Sequence, residues 1–295
     1  MRRGWIVTAL LVGTLLAFAG TATAQTVGIA VSTLNNPFFV DLRDGAQAAA
    51  REAGVRLLVS DAQNDPNRQL SDIENFIVQG VDAIIVNPTD SAAVVPAILQ
   101  ANEAGIPVIT VDRGADDGRV VSHIASDNVA GGRMAGELIV ERLGGKGNAV
   151  ELVGIPGTSA ARDRGQGFNE VIGKNPGIRV VARQEAGFDR AKGLSVMENI
   201  LQAQPRIDAV FAHNDEMALG ALTAIEAAGR QKEMIVVGFD ATADAVQAVK
   251  EGRLAATVAQ QPVLMGELAV KTAIAHLKGE AVDAFVPVPL KLVTR

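Results

Sequence analysis

The residues best suited to form a binding site lie directly after the predicted β-strands of this 295-residue chain. In an open parallel sheet, ligands bind beyond the carboxyl ends of the strands, so polar and aromatic residues there are candidate ligand contacts. Both halves of the chain contribute to the set. Its members are Ser32, Asn36, Phe38, Phe39, Asp112, Arg113, Arg164, Phe188, Asn214, Asp240 and Gln260.

This mixture of side chains suits a ligand that is rich in hydroxyl groups. Carboxylates accept hydrogen bonds, guanidinium groups donate them and amides do both, so each can pair with vicinal hydroxyls. Phenyl rings suit the apolar C–H faces of a sugar. A buried polar group left unpaired by a deoxy analogue would carry a desolvation cost of roughly 1–3 kcal/mol. The set therefore predicts a selective sugar site.

Each candidate also has an ordinary structural explanation. Asn36 and Asn214 look like helix N-caps, a role that can coexist with ligand binding. Asp112 and Arg113 could form a surface ion pair of little energetic consequence. The phenylalanines, taken singly, could be core residues. Their joint placement at strand ends favours a site.

The elements that must position these residues alternate along the chain. Short β-branched runs are followed by longer amphipathic stretches, which is the pattern of a parallel sheet covered by helices. A second series of strands begins after residues 120–124, and the absence of a Ser/Pro-rich linker favours several short crossings that would form a hinge. The predicted strands are 27–32, 55–59, 83–86, 108–111, 120–124, 149–153, 179–182, 209–212, 235–238 and 256–259, and the first-half helices are 37–53, 69–79 and 92–104.

The N-terminus has the features of a signal peptide. Two arginines precede an apolar run that is too short to span a membrane, and an Ala-Thr-Ala cleavage motif ends at Ala24. Residues 1–24 are therefore predicted to be removed on export to the periplasm. Removing two arginines from 27 basic residues, against 33 acidic residues, leaves a formal net charge of −8, which argues against nucleic acid as a partner.

Several classes of chemistry lack their sequence motifs. The chain contains no cysteine, so disulfides, thiolate zinc sites and cysteine nucleophiles are excluded. It has no phosphate-binding G-x-x-x-x-G-K-[ST], no G-x-G-x-x-G, no H-E-x-x-H and no G-x-S-x-G. His123, His213 and His276 have no metal-site spacing. We therefore expect no catalytic activity, no cofactor and no metal.

Six segments carry a resemblance to a known family: VSTLNNPFF (31–39), NPTDS (87–91), VSHIASDN (121–128), GTSAAR (157–162), NDEMALG (214–220) and VGFD (237–240). Together they resemble the type I periplasmic sugar-binding proteins of ATP-binding-cassette (ABC) transporters, and within that family the members that bind D-ribose. The resemblance covers nearly the whole predicted mature chain.

The resemblance implies an α/β fold of two Rossmann-like lobes with parallel sheets, joined by a three-crossover hinge. It implies an N-terminal lobe of residues 25–126 and 261–289 and a C-terminal lobe of 127–260 and 290–295. It marks all eleven candidates as sugar contacts, with Phe38, Phe39 and Phe188 flanking the pyranose ring. An inner-membrane ABC permease and a chemotaxis transducer are the partners that the family offers, and a monomer is its usual state.

One position departs from the family pattern. His213 stands where the D-ribose receptors carry Gln, and its side chain is expected to point away from a pocket formed by Asn214. We expect little change in sugar specificity from this substitution, while sensitivity to pH stays open.

Three other functions compete with D-ribose capture by hinge closure. A receptor for allose, galactose or a signalling furanose would share the fold. The sugar-sensing core of a transcriptional repressor would need an N-terminal helix-turn-helix, where this chain has the predicted signal peptide. A sugar-processing enzyme would need paired carboxylates in the cleft, for which Asp112 and Asp240 are the candidates.

Overall fold

The computed structural model describes residues 25–295, and the predicted signal peptide lies outside the described residues. The described chain folds into two six-stranded sheets, each covered by helices on both faces. The strands are β1 (Thr26–Val31), β2 (Arg56–Asp61), β3 (Ala83–Val86), β4 (Val108–Val111), β5 (Ser122–Ala125), β6 (Gly147–Val153), β7 (Ile178–Glu185), β8 (Ala209–Ala212), β9 (Ile235–Asp240), β10 (Ala256–Ala259), β11 (Phe285–Pro287) and β12 (Lys291–Thr294). The helices are α1 (Pro37–Glu52), α2 (Pro66–Val78), α3 (Val95–Glu103), α4 (Asn128–Arg142), α5 (Ser159–Gly173), α6 (Arg190–Ala203), α7 (Asp215–Ala227), α8 (Ala243–Glu251) and α9 (Pro262–Leu277).

The first sheet has the strand order β11-β5-β4-β3-β1-β2 and is parallel throughout. Its central strands β3 and β4 are buried along their whole length, which explains why they are continuous apolar runs rather than alternating ones. Helices α1 and α9 pack on one face through Phe39, Leu42, Met265 and Ala269. Helices α2 and α3 cover the other face.

The second sheet has the order β12-β10-β9-β8-β6-β7, in which only β12 runs antiparallel to its neighbour. Helices α6, α7 and α8 pack on one face and contribute an aliphatic core. Helices α4 and α5 cover the other face around Phe168, Phe211 and Phe239. The parallel strands of each sheet place their carboxyl ends, and the loops that follow them, at one edge.

The chain passes between the two sheets three times, from β5 to α4, from β10 to α9 and from β11 to β12. This is the two-lobed α/β architecture expected from the sequence. Within the described part of the chain, none of the helices combines the length and the apolar character needed to cross a membrane.

Two predicted helix starts were wrong, and each of the three predicted helices ends one residue earlier in the structure. α2 begins at Pro66, three residues before the predicted 69, because the Asp65 side chain caps it by accepting from two backbone N–H groups and proline occupies the first turn. α3 begins at Val95 rather than 92, because residues 92–94 form a turn held by the Asp90 side chain. Strands β11 and β12 were not predicted.

Candidate functional site

Ten of the eleven candidate residues surround one small cavity between the two lobes. Both sheets contribute through the loops and helix ends that follow their strands. The lining residues are Asn36, Phe38, Phe39, Asp112, Arg113, Ala160, Arg164, Phe188, Asn214, Asp240 and Gln260. Ala160 was not among the candidates, and Ser32, which was, is fully buried without lining the cavity.

The two asparagines combine capping with a place in the cavity wall. Asn36 is the N-cap of α1 and accepts from the Phe38 N–H at 3.0 Å. Asn214 is the N-cap of α7 and accepts from the Met217 N–H at 3.0 Å. Because each Oδ1 serves the helix, the amide groups are held in fixed orientations at the cavity. Each asparagine therefore both caps a helix and lines the cavity.

Three cavity residues other than glycine have a left-handed backbone. The φ angle is +62° at Asp112, +60° at Phe188 and +118° at Asp240. Such conformations are uncommon for residues with a β-carbon and persist only where the surroundings impose them. All three follow or end a strand at the cleft. Backbone strain is thus concentrated where the candidate side chains are aimed into the cavity.

Asp112 and Arg113 form a buried pair rather than a surface one. Each is 3% exposed, and Asp112 Oδ2 lies 3.7 Å from Arg113 Nε. The same oxygen lies 3.2 Å from Asn87 Nδ2, and Arg113 Nη1 donates to the Pro88 carbonyl at 3.1 Å. Asp112 Oδ1 has no hydrogen-bond partner among residues 25–295. A buried acceptor without a partner is costly, so it points to a ligand donor in the cavity.

The second lobe supplies an equivalent cluster. Arg164 lies in the second turn of α5, where its Nε donates to Asn128 at 2.8 Å and its Nη1 lies 3.7 Å from Asp240 Oδ1. Gln260 Nε2 donates to the same Asp240 oxygen at 2.8 Å. Gln260 Oε1 is, after Asp112 Oδ1, the second oxygen of the cavity-lining residues that is buried without a partner in the described chain. Both lobes therefore present acceptors to the cavity.

The charges in the cavity balance, because two guanidinium groups face two carboxyl groups. Burial raises the pKa of Asp240, and the nearby Arg164 opposes that shift. Burial lowers the pKa of Arg113 to about 10, and the Asp112 carboxylate opposes it. A balanced, desolvated set of donors and acceptors suits an uncharged polar ligand better than an ion. No group of three or more metal-ligating side chains occurs in residues 25–295.

Aromatic rings complete the cavity walls. The Arg113 guanidinium carbon lies 5.0 Å from the Phe39 ring centre and 5.1 Å from that of Phe188, so it is held between rings from the two lobes. The Phe38 and Phe39 rings meet edge to face at 5.2 Å. The cavity walls thus combine aromatic faces with polar groups.

The lobes also touch directly beside the cavity, at an inter-lobe contact formed by Ser91, Gly114, Asp116, Gly157, Ser159 and Arg162. The Gly114 N–H donates to Ser159 Oγ at 2.9 Å, and the Ser159 N–H donates to Ser91 Oγ at 3.1 Å. The Ser91 N–H donates to the Gly157 carbonyl at 2.9 Å. An exposed ion pair joins Arg162 and Asp116 at 2.8 Å. The lobes are therefore in a closed arrangement.

Sequence reasoning missed the residues that support the site from behind. Asn128 orients Arg164, and Glu151 is a carboxylate only 1% exposed in the apolar strand β6. A carboxylate inside an apolar strand is itself a signal, because a buried charge needs partners. Asn128 had no comparable signal, since its role depends on the meeting of α4 and α5.

The fold and the cavity together are those of a periplasmic binding protein, in which two α/β lobes enclose a small ligand. Residues 27–281 match the sequence profile of the periplasmic binding protein domain. The chain belongs to that family. One solved structure that it resembles is a solute-binding protein of an ABC transporter.

Particular relatives match over almost the whole chain. The ribose import binding protein RbsB of Haemophilus influenzae is 53% identical over 290 residues, which cover 98% of both chains. RbsB of Bacillus subtilis is 51% identical over 92% of this chain and 87% of its own. Among solved structures, an ABC transporter solute-binding protein of Bacillus halodurans with bound myo-inositol has a TM-score of 0.89 and 37% identity, covering 93% of this chain and 96% of its own.

Proposed function

We propose that this chain is the exported D-ribose receptor of an ABC importer. The observation that carries the proposal is the closed cavity whose buried acceptors Asp112 Oδ1 and Gln260 Oε1, one from each lobe, have no partner in the described chain. Ligand hydroxyls would donate to them. The ribose import relatives supply the choice of sugar within the class.

The two lobes touch directly beside the small cavity, which supports a ligand no larger than a single monosaccharide.

The wall residues divide into two roles in this proposal. Phe38, Phe39 and Phe188 would flank the sugar ring, and the polar residues would bind its hydroxyls. The polar contacts are Asn36, Asp112, Arg113, Arg164, Asn214, Asp240 and Gln260. Ser32 would act through another residue, because its N–H donates to Asn87 at 3.1 Å and Asn87 in turn contacts Asp112.

Capture would proceed by hinge closure. An open form admits the sugar, and the sugar then favours the closed form because both lobes bind it at once. The lobes in this proposal comprise residues 25–126 with 261–289 and residues 127–260 with 290–295, in keeping with the strands of the two sheets. The closed monomer would present both lobes to the permease and release the sugar chemically unchanged.

Differential scanning calorimetry of residues 25–295 with D-ribose, D-allose, D-galactose and myo-inositol tests the ligand. Binding to the folded state raises the melting temperature by mass action, so D-ribose should give the largest rise. Calorimetry is preferred because the chain has no tyrosine and its single tryptophan, Trp5, lies in the predicted signal peptide. A larger rise with another sugar would retain the receptor and refute the choice of D-ribose.

Incubation with D-ribose followed by product analysis tests the absence of catalysis. We expect the sugar to be recovered unchanged. Conversion that Asp112→Asn or Asp240→Asn abolishes would instead support the sugar-processing enzyme, since these two residues are its candidate carboxylates.

A further inference from the structure

A polar cluster lies behind the cavity wall of the second lobe and takes no direct part in lining it. Its centre is the Glu151 carboxylate, which accepts from His213 Nε2 at 3.0 Å and from Arg183 Nε at 2.6 Å. Asn169 Nδ2 lies 3.2 and 3.3 Å from the two carboxylate oxygens. Both Glu151 and His213 are 1% exposed. Arg183 is positively charged and His213 can become so, and these partners compensate the cost of burying the carboxylate.

The contacts of His213 fix its protonation. Its Nδ1 faces the backbone N–H of Gly154 at 3.4 Å, and that group can only donate. Nδ1 must therefore be the acceptor, which leaves the proton on Nε2, directed at Glu151. Both ring nitrogens are used, and the imidazole is neutral. A proton added to Nδ1 would place two N–H groups against each other, because the Gly154 N–H already points at that nitrogen.

The backbone of His213 connects this cluster to the cavity. Its carbonyl accepts from Arg164 Nη1 at 2.7 Å, and the next residue, Asn214, lines the cavity. Arg164 Nε is held by Asn128 at 2.8 Å. The Arg164 guanidinium is thus fixed from two sides and lies 3.7 Å from Asp240. A shift of residue 213 would move the carbonyl oxygen that accepts from Arg164 Nη1.

We propose that His213 is a positioning residue for the sugar site, whose neutral imidazole, anchored on Glu151, holds Arg164 in place, so that protonating it weakens sugar binding. The inference rests on the proposed function, because its effect is read out through the sugar. The side-chain hydrogen bonds of His213 join Glu151 and Gly154, neither of which lines the cavity.

The charged groups around the imidazole favour the neutral form. Burial lowers the pKa of His213 below its ordinary value of 6.5; Glu151 on β6 opposes the shift, while Arg164 on α5 and Arg183 on β7 add to it. Because the folded-state pKa is depressed, the stability that the neutral imidazole contributes is fully present above 6.5. That contribution is lost as the pH falls from 6.5 to the folded-state pKa, and below that pKa the folded protein carries the charged imidazole.

The test is calorimetric titration with D-ribose in steps from about pH 7.5 down to the lowest pH at which the protein stays folded, because the lowered pKa of His213 places its charge change below the usual range of histidine. The proteins are the wild type, H213Q, H213A and the control H276Q, whose histidine lies on α9 outside this cluster. Glutamine cannot gain a proton but keeps an amide donor and acceptor. Wild type and H276Q should lose at least about fivefold more affinity on acidification than H213Q, since one pKa unit of linkage is worth tenfold. At neutral pH, H213Q should bind within about threefold of wild type and H213A more weakly.

Equal acid sensitivity in wild type and H213Q would overturn the inference and assign the effect to another group, such as His123 or Asp240. If H213A bound D-ribose at neutral pH as tightly as H213Q does, the positioning role would be overturned. Failure of D-ribose to bind the wild type at neutral pH is a different result, which refutes the proposed ligand. The pH comparison is then made with whichever sugar of the panel binds, and if none binds, both proposals fall.

Discussion

Gly154 has no room for a side chain because the Phe188 ring occupies that space. A β-carbon on Gly154 would lie 2.1 Å from Phe188 Cζ, well inside van der Waals contact. The backbone of Phe188 is held on both sides, since its N–H contacts Met217 Sδ at 3.3 Å and its carbonyl accepts from Asn214 at 3.3 Å, so an added β-carbon must turn the ring. The end of β6 thus sets the position of an aromatic wall of the cavity.

Gly154→Ala should therefore displace the Phe188 ring and reduce D-ribose affinity by about tenfold or more, corresponding to the 1–3 kcal/mol typical of overpacking. Gly173→Ala is the matched control, because nothing lies within 4 Å of its added β-carbon. Titration calorimetry compares the two. Unchanged affinity in Gly154→Ala, with a folded protein, would show that Phe188 is not a wall of the sugar site.

Asp112→Asn should weaken D-ribose binding roughly 10- to 150-fold, since a hydrogen bond to a charged group contributes about 1.5–3 kcal/mol. Asparagine tolerates the left-handed backbone of this position and keeps its shape. Asp117→Asn, on an exposed loop, should bind like wild type. Equal affinity in all three proteins would remove Asp112 from the site.

Ser159→Ala should weaken sugar binding although Ser159 does not line the cavity. Its hydroxyl accepts from Gly114 across the cleft, and losing that bond disfavours the closed form. One neutral hydrogen bond of about 0.5–1.5 kcal/mol predicts a roughly two- to tenfold loss. Ser195→Ala on the exposed face of α6 is the control. Unchanged sugar affinity in Ser159→Ala would contradict the account.

Asp215 should make the protein less stable as the pH rises. Burial raises its pKa from 3.8 to about 7, despite hydrogen bonds from Thr257 and Thr242. A carboxyl group that holds its proton in the folded state stabilises that state at low pH. The contribution disappears between about pH 4, where the unfolded chain ionises, and about pH 7.

The melting temperature of Asp215→Asn should accordingly fall less than that of the wild type over this range, because its amide does not ionise. Asp189→Asn, which alters an exposed N-cap of α6, should keep the wild-type profile. Parallel profiles for wild type and Asp215→Asn would mean that Asp215 is ionised throughout.

The sequence predicted the central strands well and the periphery poorly. β3, β4, β8 and β10 occur at the predicted residues, because strands in the interior of a sheet are buried over most of their length and form short, mainly apolar runs bounded by polar residues. β11 and β12 were missed because they are short edge strands at the end of the chain, β11 with a proline. Nothing in their local pattern distinguishes them from loop.

The candidate site shows the same division. Ten cavity residues could be chosen because strand ends converge in this type of sheet. The inter-lobe contact of Ser159 with Gly114 could not be predicted from the sequence, since it depends on the angle between two separately folded lobes. The anchoring of His213 on Glu151 likewise depends on how β6 and β8 pair, which the spacing of 62 residues does not reveal.

Titration calorimetry of the wild-type protein with D-ribose tests the central claim most directly. The account predicts saturable binding at one site per chain, with one sugar enclosed by the two lobes. A folded protein that shows no heat of binding with D-ribose, yet binds myo-inositol or another sugar at one site, would contradict D-ribose as the ligand. A folded protein that binds none of these would contradict the sugar site itself.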